Sequence, residues 1–360
     1  MYRSQEELKK IVVSSNISIK EAIKKLDEAH EGIVLAKNDK EELVGIFTDP
    51  DFRRAVLNNI DLNQPLSKIL NTDYISLDIE EFTAKKAKNI LIDNFISHLP
   101  IIDGDQLVDV VYERDFFRRK KDLYQHLDHK LPIPAVIMAG GQGKRLDPFT
   151  RVLPKPLIPI DTKPVIEHII DNFDSWGIDR FYISIYYRGK TIKAYFEENL
   201  PSLNVSFIEE KQPLGTAGAL KLIESDVDHS FFLSNCDILI EANYSKMYEF
   251  HKERENDLTI VGSVKHHQIP YGICKTKNGG TLKEIIEKPE YDFLVNTGMY
   301  ILESNVLEYI PDNEKFDITD LIDSLLKNNR KVGVFPISSG SWVDIGQWAE
   351  YKKTIEKMEG

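Results

Sequence analysis

The sequence predicts an α/β fold: a twisted, mostly parallel sheet between helices, preceded by a smaller α+β module. Three observations carry this. Apolar runs of strand length, Ala135–Met138, Val205–Glu209 and Phe231–Cys236, flank a helical pattern over Pro164–Trp176 that is apolar at Val165, Ile166, Ile169, Ile170 and Phe173. The first run opens into a glycine-rich loop, as expected where an open α/β sheet presents a ligand at the carboxyl ends of its strands. Ahead of Pro134, a segment that reads as a strand running into a helix occurs twice.

That repeat comes first in the chain. Gly45-Ile46-Phe47-Thr48-Asp49-Pro50-Asp51-Phe52-Arg53-Arg54 returns 64 residues later as Asp109-Val110-Val111-Tyr112-Glu113-Arg114-Asp115-Phe116-Phe117-Arg118. Asp49 and Pro50 suit the N-cap and first position of a helix. Ile101-Ile102 and Val108–Val111 suit a strand pair in the second copy. Cations in a first helical turn oppose the macrodipole, so Arg53 and Arg54 are expected beside an anion or a partner. The boundaries predicted are 1–125 for the double module, with repeats about 1–60 and 61–125, a polar, proline-punctuated linker over 126–133, and a larger domain over 134–360.

The larger domain opens on Ala139-Gly140-Gly141-Gln142-Gly143-Lys144-Arg145-Leu146 and continues to Pro154-Lys155-Pro156. Glycines let backbone N–H groups approach an anion without an intervening side chain. Arg145 and Lys155 add two cations on a segment stiffened by Pro148, Pro154, Pro156 and Pro159, an arrangement suited to a nucleoside triphosphate. A Walker loop would need Ser or Thr directly after Lys144, where Arg145 stands. A dinucleotide fingerprint would need a third glycine opening a helix, and Gly141-Gln142-Gly143 offers only half of it.

Further along, Glu210-Lys211-Gln212-Pro213-Leu214-Gly215-Thr216-Ala217-Gly218 supplies small residues against which a flat base can lie. The alternative is a helix opening packed closely on the sheet. Asp237 follows Phe231–Cys236 and is expected at the edge of a central strand, and Asp344 interrupts Trp342-Val343-Asp344-Ile345. A carboxylate in such surroundings is costly unless paired with a cation or metal, and two oxygen ligands completed by phosphates and water suit Mg²⁺. Tyr271-Gly272, Glu287-Lys288-Pro289 and Asn296-Thr297-Gly298 are expected before, after and at the start of three successive strands. Singly, they are also ordinary turn chemistry.

Taken together, Gly-Gly-x-Gly-x-Arg-Leu followed by Pro-Lys-Pro resembles the sugar-1-phosphate nucleotidyltransferases, and the resemblance runs in order from Pro134 to Tyr351. It implies a Rossmann-like sheet of GT-A type, Mg²⁺ as cofactor, and a nucleoside triphosphate and a sugar 1-phosphate as partners. By the same resemblance Arg145, Lys155 and Asp237 are catalytic, and Asp237 and Asp344 hold the metal. Ala139, Gly140, Gly141, Gly143, Glu210, Gln212, Gly215 and Thr216 would contact the nucleotide, and Gly272, Glu287, Lys288 and Asn296 the sugar phosphate. The form Pro-Leu-Gly-Thr-Ala-Gly looks most like guanylyl-transferring members, hence GTP. Many members have Gly where Cys236 stands.

The N-terminal repeat resembles a tandem cystathionine-β-synthase (CBS) pair. That resemblance implies an adenine nucleotide held by Thr48, Asp51 and Arg53. The second copy has Tyr112 in place of Thr, so one such site is expected; a repeat that only dimerises is the alternative. Fusion of this pair to the transferase resembles bacterial guanylyltransferases that make GDP-glucosamine for legionaminic acid synthesis. Mannose 1-phosphate and heptose 1-phosphate guanylyltransferases, and glucose 1-phosphate thymidylyl-, uridylyl- or cytidylyltransferases, are the neighbouring alternatives. In a different class stands a nucleotide-sensing protein whose transferase domain is inactive.

Composition sets the outer limits. With 360 residues, 42% of them hydrophobic, the chain can bury two cores. A formal charge of −12 argues against nucleic acid or an anionic membrane as partner. Two cysteines, no secretory leader at Met1 and no apolar run of spanning length fit a cytoplasmic protein, expected to be a homodimer or higher homo-oligomer. With little sequence after Trp348, nucleotidyl transfer alone is expected, without an appended acetyl-transfer β-helix.

Overall fold

The computed structural model describes residues 3–94, 96–116, 131–347 and 351–352. The N-terminal module holds two three-stranded sheets. In the first, β1 (Val12–Ser14), β2 (Ile33–Lys37) and β3 (Leu43–Thr48) lie in that order; in the second, β4 (Leu77–Asp78), β5 (His98–Asp103) and β6 (Gln106–Tyr112) do. Each last strand runs into a helical turn, Asp49–Leu57 after β3 and Glu113–Asp115 after β6. The repeat read from the sequence is thus a structural repeat as far as residue 116. The rest of its second copy, and the expected linker up to residue 130, lie outside the described residues.

The helix start in the first copy falls one residue earlier than expected. Thr48 is the N-cap, and Asp51 accepts from both its backbone N at 2.9 Å and its Oγ1 at 2.6 Å. Asp115 accepts from Tyr112 N at 2.8 Å in the second copy. The aspartate common to both copies therefore closes a capping box, which satisfies an otherwise orphaned N–H.

The larger domain is built on a seven-stranded sheet. Its strands are β7 (Ala135–Met138), β10 (Phe181–Ile185), β11 (Val205–Glu209), β12 (Phe231–Asn235), β14 (Leu258–Gln268), β17 (Glu290–Leu302) and β18 (Val332–Ile337). The order is β11-β10-β7-β12-β17-β14-β18. The first four strands are parallel, β17 is antiparallel to both its neighbours, and β18 is parallel to β14. Three strand pairs lie outside this sheet: β8 (Pro159–Ile160) with β9 (Lys163–Pro164), β13 (Ile238–Ile240) with β19 (Trp342–Asp344), and the hairpin of β15 (Ile273–Thr276) and β16 (Leu282–Ile286).

Strands such as Phe181–Ile185, largely apolar and buried at every position, need cover on both faces. The helix Val165–Ser175 buries Val165, Ile166, Ile169, Ile170 and Phe173 on one face, as its period predicts. The helix Ile318–Lys327 buries Ile318, Leu321 and Leu325 on the other.

Directly after β17, the Glu303 carboxylate ties strand to helix. It accepts from Ser230 Oγ at 2.9 Å, His251 Nε2 at 3.1 Å and Lys252 Nζ at 2.9 Å, and the His251 bond first of all holds its pKa at about 2. The folded value lies below the ordinary 4.5, so this carboxylate stabilises the fold above pH 4.5 and ceases to do so as pH falls towards 2. Glu303→Gln should therefore cost about 1–3 kcal/mol near neutral pH. Chemical denaturation at several pH values should show the gap from wild type closing below pH 4.5. A gap independent of pH would mean that the carboxylate charge does not matter.

Candidate active site

A cavity of about 660 Å³ opens where β7 and β12 end. The glycine loop leaves β7 as one rim. Gly143 adopts φ +66°, and a Cβ there would lie 2.8 Å from Thr150 Cγ2 and 3.0 Å from Lys155, so the loop folds back onto the Pro-Lys-Pro segment only because the residue is glycine. Arg145, exposed on this rim, holds no ion pair with any described residue, which leaves it available to an anion.

Opposite the loop, the two expected metal aspartates meet. Asp237 lies two residues beyond the end of β12 rather than on its edge, in the turn that leads into β13. Pairing of β13 with β19 sets Ile238 opposite Asp344, and Ile345 N donates to Asp237 O at 2.8 Å. A side chain at Gly346 would collide with both carboxylates, which measures how closely they converge. Asp344 accepts from Gly346 N and from Gln347 Nε2, each at 2.9 Å. Lys155 forms an ion pair with Asp237 Oδ2, both side chains being less than a fifth exposed.

Two carboxylates on adjacent backbones, with no third carboxylate, Cys or His grouped with them among the described residues, suit a hard cation completed by phosphate and water oxygens. Between them and the strand, burial pushes the Cys236 thiol up to about 12, so it stays protonated and inert.

Glu210 braces the far wall. Its carboxylate accepts from Ser184 Oγ and, at 3.0 Å, from Leu214 N, and a Cβ on Gly140 would lie 2.5 Å from it. Gly215 and Thr216 follow at the start of a short helix, with Thr216 N donating to Asp317 at 3.2 Å. On the sugar side Asn296 lines the cavity and donates to Tyr300 OH at 2.7 Å. It lies within the long strand β17, not at the start of one, because β14 offers a partner along most of that length.

Gly140, Gly141, Gly143, Arg145, Lys155, Glu210, Gly215, Thr216, Asp237, Asn296 and Asp344 all line this one cavity. Ala139 is buried beneath the loop. Gln212 turns away to donate to Asn313 O at 2.9 Å. Gly272, Glu287 and Lys288 stand together on the β15–β16 arm, outside the cavity lining. Sequence reasoning missed Asn235, Tyr300, Lys315, Asp317 and Trp342, which also line it. Asp317 alone carried a signal, since Asp317-x-x-Asp320 opens a helix.

The expected adenine-nucleotide site is not assembled in this arrangement. Thr48 and Asp51 bond each other, while Arg53 reaches away to stack on Phe335, 3.9 Å from the ring centroid, and donates to Pro336 O at 3.1 Å. Arg53, the fifth residue of its helix, is thus met by an aromatic ring and a carbonyl of β18, with the Asp49 carboxylate of its own helix acting on it as well.

The sequence profile of the Nucleotidyl transferase family matches residues 134–359, and that of the CBS domain matches 7–58 and 66–122. The chain belongs to the nucleotidyl transferase family. Two CBS domains precede its transferase domain. Among curated relatives, a mannose-1-phosphate guanyltransferase of Yarrowia lipolytica is 33% identical over 223 residues, which is 59% of this chain and 60% of that protein's length. A UTP–glucose-1-phosphate uridylyltransferase of Synechocystis is 28% identical over 241 residues, 61% of this chain and 62% of its own. Among solved structures, HddC from Yersinia pseudotuberculosis is similar over 63% of this chain and 99% of that one, at 29% identity and a TM-score of 0.49.

Proposed function

We propose that this chain transfers a nucleotidyl group from a nucleoside triphosphate to a sugar 1-phosphate and releases pyrophosphate, with GTP as donor and glucosamine 1-phosphate as acceptor. One observation carries it: a glycine loop, an exposed Arg145 and a Lys155–Asp237–Asp344 cluster face each other across one cavity. An oxygen of the sugar phosphate attacks the α-phosphorus, and the bond to pyrophosphate breaks. The obstacle is charge repulsion and alignment, so no protein nucleophile is needed. Arg145 and Lys155 offset charge on the phosphates, Glu210 and Thr216 bound the base pocket, and Asn296 with Glu287 and Lys288 addresses the sugar. Asp237 and Asp344 would hold Mg²⁺, which when bound supplies Lewis-acid stabilisation of the phosphoryl oxygens.

Guanine is favoured by the guanyltransferase names of the Yarrowia relative and others like it. Mannose or heptose 1-phosphate, and glucose 1-phosphate with UTP, dTTP or CTP, are the readings to exclude. Pyrophosphate release from each triphosphate against a panel of sugar 1-phosphates tests this. GTP with glucosamine 1-phosphate is expected to give the highest kcat/KM, and a higher value for any other pair would reassign the substrates. For the CBS pair we propose an adenine nucleotide, in the cavity of about 450 Å³ lined by His98, Tyr112 and Arg114 of the module and by Trp176, Glu241 and Ser338 of the transferase domain, and not on Arg53. Calorimetry of the whole chain with AMP, ADP and ATP reads it, and silence with all three would remove that ligand. We place the reaction in the cytoplasm, in a homo-oligomer whose mass sedimentation would give. Among the described residues no helix is long and apolar enough to cross a membrane.

A further inference from the structure

The N-terminal module grips the transferase domain at the strands that run into its active site. Its helix Ile19–Ala29 buries Ile19, Ala22, Ile23 and Leu26, and Val264 of β14 joins that same apolar cluster. From the polar side of the helix, Lys20 Nζ lies 2.9 Å from Asp292 and 3.5 Å from Glu290, and Lys24 Nζ lies 2.8 Å from Glu290. His266 Nδ1, from the neighbouring strand, meets Asp292 at 2.6 Å. One turn on, Asp27 accepts from Ser339 Oγ at 2.5 Å and Gly340 N at 3.3 Å, just ahead of β19 and Asp344.

Glu290 and Asp292 occupy the first part of β17. Glu287 and Lys288 lie just ahead of it, separated from it by Pro289, and Asn296 follows four residues after Asp292. The arm that carries Gly272 and Glu287 is an exposed two-stranded hairpin, a kind of element with little stability of its own. Lys20, Asp292 and Glu290 are each about a quarter exposed or less, and they share partners, so this is a network and not an isolated surface pair.

We infer that Lys20 and Lys24 of the N-terminal module are positioning residues for the sugar 1-phosphate: they fix the start of β17, and through it Glu287 and Asn296. This rests on the function proposed above. Lys20 and Lys24 then act on one substrate and not on the other, because the glycine loop and Glu210 follow β7 and β11, which β12 separates from β17 and β14 in the sheet order.

The test uses the whole chain. Lys20→Ala with Lys24→Ala should raise KM for the sugar phosphate about tenfold, as expected for misplaced rather than missing contacts. KM for the triphosphate should stay within about twofold. Lys20→Arg with Lys24→Arg should keep wild-type values. If the double alanine variant does not fold, Lys24→Ala alone, at the more exposed position, carries the comparison. Equal rises in both KM values, or an unchanged sugar KM, would overturn the inference. Hydrogen exchange over residues 284–296 gives a readout independent of turnover. Faster exchange in the double alanine variant is expected, and unchanged exchange overturns the clamp even if wild-type protein proves inactive, an outcome that would itself sink the proposed function.

Discussion

Asp237→Asn is expected to lower turnover at least about a hundredfold, the scale of losing one pre-organised electrostatic group. The reason is local. Asp237 stands beside Asp344 through the β13–β19 pairing and is ion-paired with Lys155, so it joins the second proposed metal ligand to the cation proposed to face the phosphates. Asparagine keeps the shape and removes the charge. The fold should survive, with a stability cost of roughly 1–3 kcal/mol for the altered partnership with Lys155. Steady-state turnover in Mg²⁺ together with thermal unfolding decides it. A folded variant that turned over at near the wild-type rate would show that Asp237 is not a metal ligand.

Arg145→Ala and Lys155→Ala should each lower kcat/KM by about two to three orders of magnitude, since both remove cations aimed at reacting phosphates. Their stability signatures should differ. Arg145 has no ion pair with a described residue, so its loss leaves no described carboxylate unpaired, whereas Lys155→Ala strands the largely buried Asp237. Lys155→Ala combined with Asp237→Asn should therefore be less damaging than the sum of the two. Lys246→Ala, an exposed helix position paired with Glu249, is the control and should change little. Similar losses at all three cations would mean that the site responds only to diffuse positive charge.

The glycine loop was legible in the sequence because its constraint is local: a left-handed φ at Gly143 and close approach at Gly140 both demand glycine. The helix over Val165–Ser175 was legible because its period alone marks the buried face. What escaped was set by distant parts of the chain. The meeting of Asp237 with Asp344 depends on pairing between strands about a hundred residues apart. The length of β17 depends on β14, so Asn296-Thr297-Gly298 read as a beginning although it lies within the strand. Arg53, expected beside an anion or a partner, meets an aromatic ring and a carbonyl on β18, a strand nearly three hundred residues away that no local pattern places there. Gln212, read as a base contact, is drawn off by the Asn313 carbonyl on a loop that no local pattern places there.

The cavity is expected to perform transfer and not merely to bind nucleotide. Single-turnover mixing of the whole chain with GTP, glucosamine 1-phosphate and Mg²⁺, following pyrophosphate and nucleotide-sugar together, tests it most directly. Equimolar appearance of the two products, absent when the sugar phosphate is left out, is the predicted result. GTP bound but returned unchanged, here and with every other triphosphate and sugar 1-phosphate tried, would contradict it and leave a nucleotide-sensing protein with an inactive transferase domain.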